Sequence, residues 1–276
     1  MKKTILITGA TGSVGKATAI KLAKENTQIV LLGRNAAKLS ALRSEINRET
    51  GNNDIDILVA DLADIASVKR AAQEFKQKYK RLDVLLNIAA TYKNKREVSK
   101  DGLEMMFATN HMASFVLTTE LLDLLKASAP SRVVAVAAPS FNKLNFDDLQ
   151  GEKKFSALTL FGASKMANLL FTYALARKVQ GTGVTTTVLH PGAVKSELTN
   201  DMPAFIKFIF WLLSSSADKP AKMLQQLSLA PEFASANGKF YKFDGKELKP
   251  SEYSSDKTVQ DKLWQVSEEL SNRVNV

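Results

Sequence analysis

The run Thr8-Gly9-Ala10-Thr11-Gly12-Ser13-Val14-Gly15 constrains this chain more than any other feature. It follows a short apolar stretch at 4–8 and precedes a helical pattern at 14–24. Glycines at such a junction let the backbone take positive φ and approach another group closely. The helix that follows offers N–H groups without intrahelical partners and the positive end of its dipole. After the first strand of an α/β chain, that arrangement suits a dinucleotide pyrophosphate, lined by Gly9, Gly12, Ser13, Val14 and Gly15.

The remainder repeats the same alternation. Apolar runs at 28–33, 55–60, 84–89, 132–137 and 185–190 are rich in Val, Ile and Leu and lack clean polar alternation. Strands covered on both faces have that composition. Helical patterns lie between them at 36–48, 65–79, 102–125 and 160–179, and a last strand is predicted at 239–243, after Gly238. Repeated strand–helix–strand order implies right-handed crossovers and a parallel sheet. The prediction is one doubly wound, Rossmann-like α/β domain spanning residues 1–276. The least regular stretches, 139–154 and 200–220, follow strand ends, and ligands sit at that edge of such sheets.

The second strand ends Leu32-Gly33-Arg34-Asn35, with no carboxylate to hold ribose hydroxyls. Arg34, with Lys38 one turn on, suits a 2′-phosphate. The expected cofactor is therefore NADP(H). With no cysteine and two distant histidines, His111 and His190, the sequence offers no disulfide and no metal-ligand spacing. The net charge of +10 is scattered, its densest short cluster being Lys93, Lys95 and Arg96. It reads as solvated faces and a field favourable to a polyphosphate, with no nucleic-acid partner. The N-terminal apolar run is too short for a secretory signal, and the stretch 204–213 is too short to span a bilayer. A cytoplasmic location is expected.

Several further motifs resemble the short-chain dehydrogenase/reductase family over nearly the whole chain. They are Asp61-Leu62, Asn87-Ile88-Ala89-Ala90, Asn110-His111, Ser164-Lys165 and Pro191-Gly192-Ala193-Val194. The stretches 149–152 and 188–198 resemble the retinol-dehydrogenase-like branch, whose members mostly use NADP(H) on apolar carbonyls or alcohols. The resemblance implies that Asp61 and Leu62 flank the adenine and that Asn87 and Ala89 line the cofactor channel. It implies that Pro191, Val194 and Ser196 meet the nicotinamide end, that Asn110 holds a relay water, and that Lys165 binds the nicotinamide ribose. It also implies pairing of subunits through long helices. The glycine loop departs from the family spacing at Ser13, where a glycine is usual.

Two departures bear on chemistry. The family's catalytic tyrosine stands four residues before the lysine, and here that position is Phe161. Its catalytic serine falls at Ala138. Neither side chain can give or take a proton. Asn110 and Lys165 remain, and Tyr92, Ser140 and Ser164 are the nearby hydroxyls that could supply one. Two functions follow as alternatives: an oxidoreductase with an atypical proton relay, or a catalytically silent cofactor-binding module or non-redox enzyme on the same fold. The apolar, aromatic stretch 203–213 predicts a lid around 200–220 over a small lipophilic substrate. Packing on the core or another subunit, or peripheral contact with a membrane surface, are its other readings.

Overall fold

The computed structural model describes residues 2–140, 142–195 and 214–274. β1 (Thr4–Thr8) is buried along its whole length. Ile5 and Ile7 face one apolar layer and Leu6 the other. The same division recurs in β4 (Val84–Asn87) and β5 (Ser131–Val136), where Leu85 and Val133 join one layer and Val84, Leu86 and Val134 the opposite one. Those two layers are the helical covers of the sheet, which explains runs of Val, Ile and Leu without polar alternation.

With β2 (Gln28–Gly33), β3 (Ile55–Val59), β6 (Val184–His190), β7 (Lys239–Lys242) and β8 (Glu247–Leu248), the strands order as β3-β2-β1-β4-β5-β6-β7-β8. β1 to β7 are parallel. To the parallel sheet expected from sequence the fold adds one antiparallel edge strand: β8 pairs antiparallel with β7. Only Phe243, Asp244, Gly245 and Lys246 separate β7 from β8, with Gly245 at φ +86°. A connection that short can join only antiparallel strands.

Four helices cover the early strands and β5: α1 (Ser13–Ala23), α2 (Ala36–Thr50), α3 (Ile65–Lys78) and, after a π-helical segment (Phe107–Met112), α4 (Ala113–Glu120). Asn35 caps α2 by accepting from Lys38 N at 2.9 Å, and Asp64 caps α3 by accepting from Ser67 N at 3.0 Å. α5 (Leu122–Ala127) leads into β5, and α6 (Ala157–Lys178) follows it. α7 (Asp218–Leu229) packs on α1. α8 (Glu252–Ser255) and α9 (Lys257–Asn272) complete the described chain.

The continuous helix expected at 102–125 is interrupted. Gly102 lies in a turn at φ +76°, Phe107–Met112 widens to π geometry, and the helix breaks at Leu121. The irregular stretch expected at 200–220 ends in the first turn of α7. α9 has no counterpart among the predicted elements. It is held by Trp264, whose ring lies 5.1 Å from Phe115 and 5.8 Å from Phe171, and by a 2.8 Å hydrogen bond between Ser267 Oγ and His111 Nε2.

Candidate active site

At the end of β1, Gly9 takes φ +67°, and a Cβ there would lie 2.7 Å from Ala89 Cα on the segment after β4. At Gly15 a Cβ would come within 2.2 Å of the Gly9 carbonyl oxygen. Both glycines therefore let α1 and the loop close onto the sheet edge. Gly12 is different: it is the N-cap of α1, and the nearest atom to its hypothetical Cβ is 3.5 Å away. No side chain caps α1, so the first-turn amides of Ser13, Val14 and Gly15 face the space above Gly12. An exposed glycine under uncapped amides is a donor set for a pyrophosphate. A Gly15→Ala variant must displace backbone, at roughly 1–3 kcal/mol for overpacking. It should lower the melting temperature and weaken dinucleotide binding together, and normal values of both in one variant would contradict this packing.

The next two strand ends carry the adenosine side. Arg34 and Lys38 are exposed, and neither makes an ion pair among the described residues. Asp61 accepts Ala63 N on Oδ1 at 3.0 Å, and its own N–H donates to Ser67 Oγ at 3.0 Å. That turn leaves Asp61 exposed beside a half-buried Leu62.

Thr8, which the sequence reading passed over, ties β1 to β4. Its Oγ1 donates to Leu86 O at 3.2 Å and accepts from Ile88 N at 3.0 Å. A hydroxyl at the end of an otherwise apolar strand was the available signal. Beside it, Asn87 donates from Nδ2 to Thr118 Oγ1 at 3.0 Å, and its buried Oδ1 has no hydrogen-bond partner among the described residues. An orphaned acceptor under the glycine loop fits a ribose hydroxyl.

Asn110 lies in the π-helical segment and is fully buried. Its Oδ1 accepts Thr91 N at 2.7 Å, and its Nδ2 donates to Thr91 O at 3.0 Å and to Ser164 Oγ at 2.9 Å. Both amide hydrogens are thus committed. The side chain clamps the segment after β4 to α6. Ser164 Oγ in turn donates to Phe161 O at 2.7 Å.

Lys165 is buried within α6, and that burial pulls its ammonium down to about 8. Its Nζ stands 5.4 Å from the centroid of the Phe161 ring. Tyr92 meets that ring edge-on at 5.6 Å. Gly162 brings the segment after β5 onto this same turn: a Cβ there would lie 2.0 Å from Asn142 Nδ2 and 3.2 Å from Ser140 Oγ. Ala138 and Phe161, both half-buried, thus belong to neighbouring segments at one sheet edge. Neither carries a hydroxyl.

After β6, Gly192 at φ +72° packs against Phe243. Val194 bridges Ser215 through its neighbours: Ser215 N donates to Ala193 O at 3.0 Å and Lys195 N to Ser215 O at 3.3 Å. Val194 lends neither its own N–H nor its C=O to that bridge. Pro191 is half-buried at the same edge. Ser196 and residues 200–213 of the expected lid lie outside the described residues. Both histidines are held neutral by burial, His111 at about 3 and His190 below its usual value. Among the described residues no helix is long and apolar enough to cross a membrane.

A sheet ordered 3-2-1-4-5-6-7, a glycine loop after β1, and a buried lysine on the helix after β5 define a dinucleotide-binding α/β protein. The family model of the short chain dehydrogenases matches residues 3–206. Retinol dehydrogenase 12 of Mus musculus is 36% identical over 274 residues, covering 97% of this chain and 86% of that protein. Retinol dehydrogenase 13 of Homo sapiens is 35% identical over 280 residues, covering 97% and 84%. Among solved structures, an uncharacterized protein from Mycobacterium Paratuberculosis superposes with a TM-score of 0.78 at 26% identity, covering 98% of this chain and 93% of that one. A short chain dehydrogenase from Burkholderia cenocepacia in complex with NADP shares the fold at a TM-score of 0.71 and 22% identity, covering 88% and 96%. The chain belongs to the short-chain dehydrogenase family, in its retinol-dehydrogenase-like branch.

Proposed function

We propose that this chain is an NADP(H)-dependent oxidoreductase of apolar carbonyls or alcohols that works with an altered proton relay. The observation that carries the reading is the pairing of a complete dinucleotide cradle with a lysine kept buried beside Phe161. A buried, unpaired cation is costly, and a ribose hydroxyl gives it an acceptor. Bound NADP(H) supplies the hydride. The protein's share is to hold and orient. The α1 amides and Gly12 receive the pyrophosphate, Arg34 with Lys38 the 2′-phosphate, Asn87 and Lys165 the nicotinamide ribose, and the Val194 backbone the carboxamide. Retinol dehydrogenases among the relatives agree with a lipophilic substrate, and the apolar stretch 203–213 agrees with a cover for one. The same stretch leaves room for contact with a membrane surface or a second subunit in an otherwise cytoplasmic protein.

Titration with NADPH and NADH tests the cofactor half. NADPH should bind more tightly, and Arg34→Ala should erase that preference by about tenfold or more, the worth of a charge-assisted pair. Tighter NADH binding by the native chain would refute the assignment. A second reading, a cofactor-binding module without turnover, is favoured by the missing hydroxyls at Ala138 and Phe161. NADPH binding with no reduction of any lipophilic aldehyde would select it.

A further inference from the structure

Three hydroxyls stand near Phe161, and the structure separates them. Ser164 Oγ both donates, to Phe161 O, and accepts, from Asn110 Nδ2, so its proton is committed to the helix backbone. Ser140 Oγ accepts Asn142 N at 3.2 Å, in a turn after Pro139. Tyr92 is only 2% exposed, and its hydroxyl is buried with no hydrogen-bond partner among the described residues. Leaving a buried hydroxyl unpaired is costly, and native structures rarely keep such a group without a use.

Tyr92 is also placed for one. It follows β4 at the sheet edge where this fold seats its ligand. The residue before it, Thr91, is held at both N–H and C=O by Asn110. The Tyr92 ring lies edge-on to Phe161, the ring that Lys165 Nζ overlooks. Among the described residues Tyr173 also has an unpaired buried hydroxyl. It stands twelve residues beyond Phe161 on α6, about 18 Å along the axis.

We infer that the Tyr92 hydroxyl is the proton donor to the substrate oxygen, a phenol on the segment after β4 in place of one on α6, in contact with the Phe161 ring. The inference rests on the oxidoreductase reading above. In carbonyl reduction a hydride adds to carbon and a proton to oxygen. The nicotinamide provides the first and Tyr92 the second. The phenolate left behind takes its proton back from water, and alcohol and oxidised cofactor depart.

The test compares the native chain, Tyr92→Phe and Ser140→Ala. Each is assayed for NADPH oxidation with nonanal and retinal, for NADPH affinity and for melting temperature. A purely structural Tyr92 predicts unchanged turnover, and an equal or higher melting temperature once the orphaned hydroxyl is gone. The inference predicts that same melting temperature and unchanged NADPH affinity, with turnover lowered about 10²-fold or more, the usual contribution of a positioned acid. Native turnover that survives Tyr92→Phe within about threefold, or that Ser140→Ala alone removes, overturns the inference and leaves the oxidoreductase reading standing. A native chain that binds NADPH but reduces neither aldehyde overturns both.

Discussion

The double variant Phe161→Tyr with Ala138→Ser should reduce lipophilic aldehydes with NADPH about 10²–10³-fold faster than the native chain. Two separate gains make up that figure. A hydroxyl at position 138 polarises the carbonyl oxygen, which an alanine methyl cannot do. A phenol at position 161 stands beside Lys165, and the nearby ammonium favours its phenolate, which makes it a stronger acid. Burial pushes the Tyr92 phenol the other way, above its ordinary value, so Tyr92 is the weaker acid of the two. Both positions are half-buried, so each added oxygen enters space at the sheet edge instead of the packed core. In the double variant, Tyr92→Phe should no longer matter. Steady-state NADPH oxidation checks the result, and a double variant that binds NADPH yet gains no rate would mean that no carbonyl is seated beside the nicotinamide.

Lys165→Met should abolish turnover and stabilise the fold. Burial lowers the Lys165 ammonium from 10.5 to about 8. Below pH 8 the lysine is charged in both folded and unfolded chains, and the folded state bears the full desolvation, about 3 kcal/mol. Between pH 8 and 10.5 the folded chain has released its proton while the unfolded chain keeps it, so stability rises with pH across that window. Replacing the amine by an apolar side chain of similar length removes the penalty. The melting temperature at pH 7 should rise by several degrees, on the scale of about 2–4 °C per kcal/mol for a chain of this size. The gain should shrink above pH 10. Thermal scans at both pH values, with NADPH oxidation in parallel, test it. A Lys165→Met protein less stable at pH 7 would show that the lysine is paired and contributes to the fold.

The sheet was legible because its strands are buried on both faces, and continuous apolar runs have few other homes. β1 and β2 begin and end where composition places them. α9 was not legible. Its buried face is Gln260, Leu263, Ser267 and Ser271, mostly polar, and its anchor, the Ser267–His111 hydrogen bond, joins positions 156 residues apart. The π-helical segment gave no local signal either, since Phe107–Met112 has ordinary helical composition. At the site, Gly9 and Gly15 could be read because only glycine tolerates the close approaches found there. The missing hydroxyls at Ala138 and Phe161 could be read because the end of β5 marks the first position and the spacing from Lys165 the second. The clamp of Asn110 on Thr91 could not, because it depends on how two segments meet in space.

The short antiparallel strand β8 has a consequence for how the molecule behaves in a crowd. Without it, β7 would present an open row of amides and carbonyls able to accept a strand from any neighbour. β8 covers that row with two residues, pins itself by the Lys239–Glu247 ion pair at 2.8 Å, and is soon followed by Pro250, which has no amide to offer. At the opposite edge, β3 carries Asp56, bound by Lys78 and by the Tyr79 hydroxyl, both at 2.5 Å. Charge at one end and a two-residue hairpin at the other discourage strand-by-strand aggregation. This architecture should therefore tolerate high protein concentration.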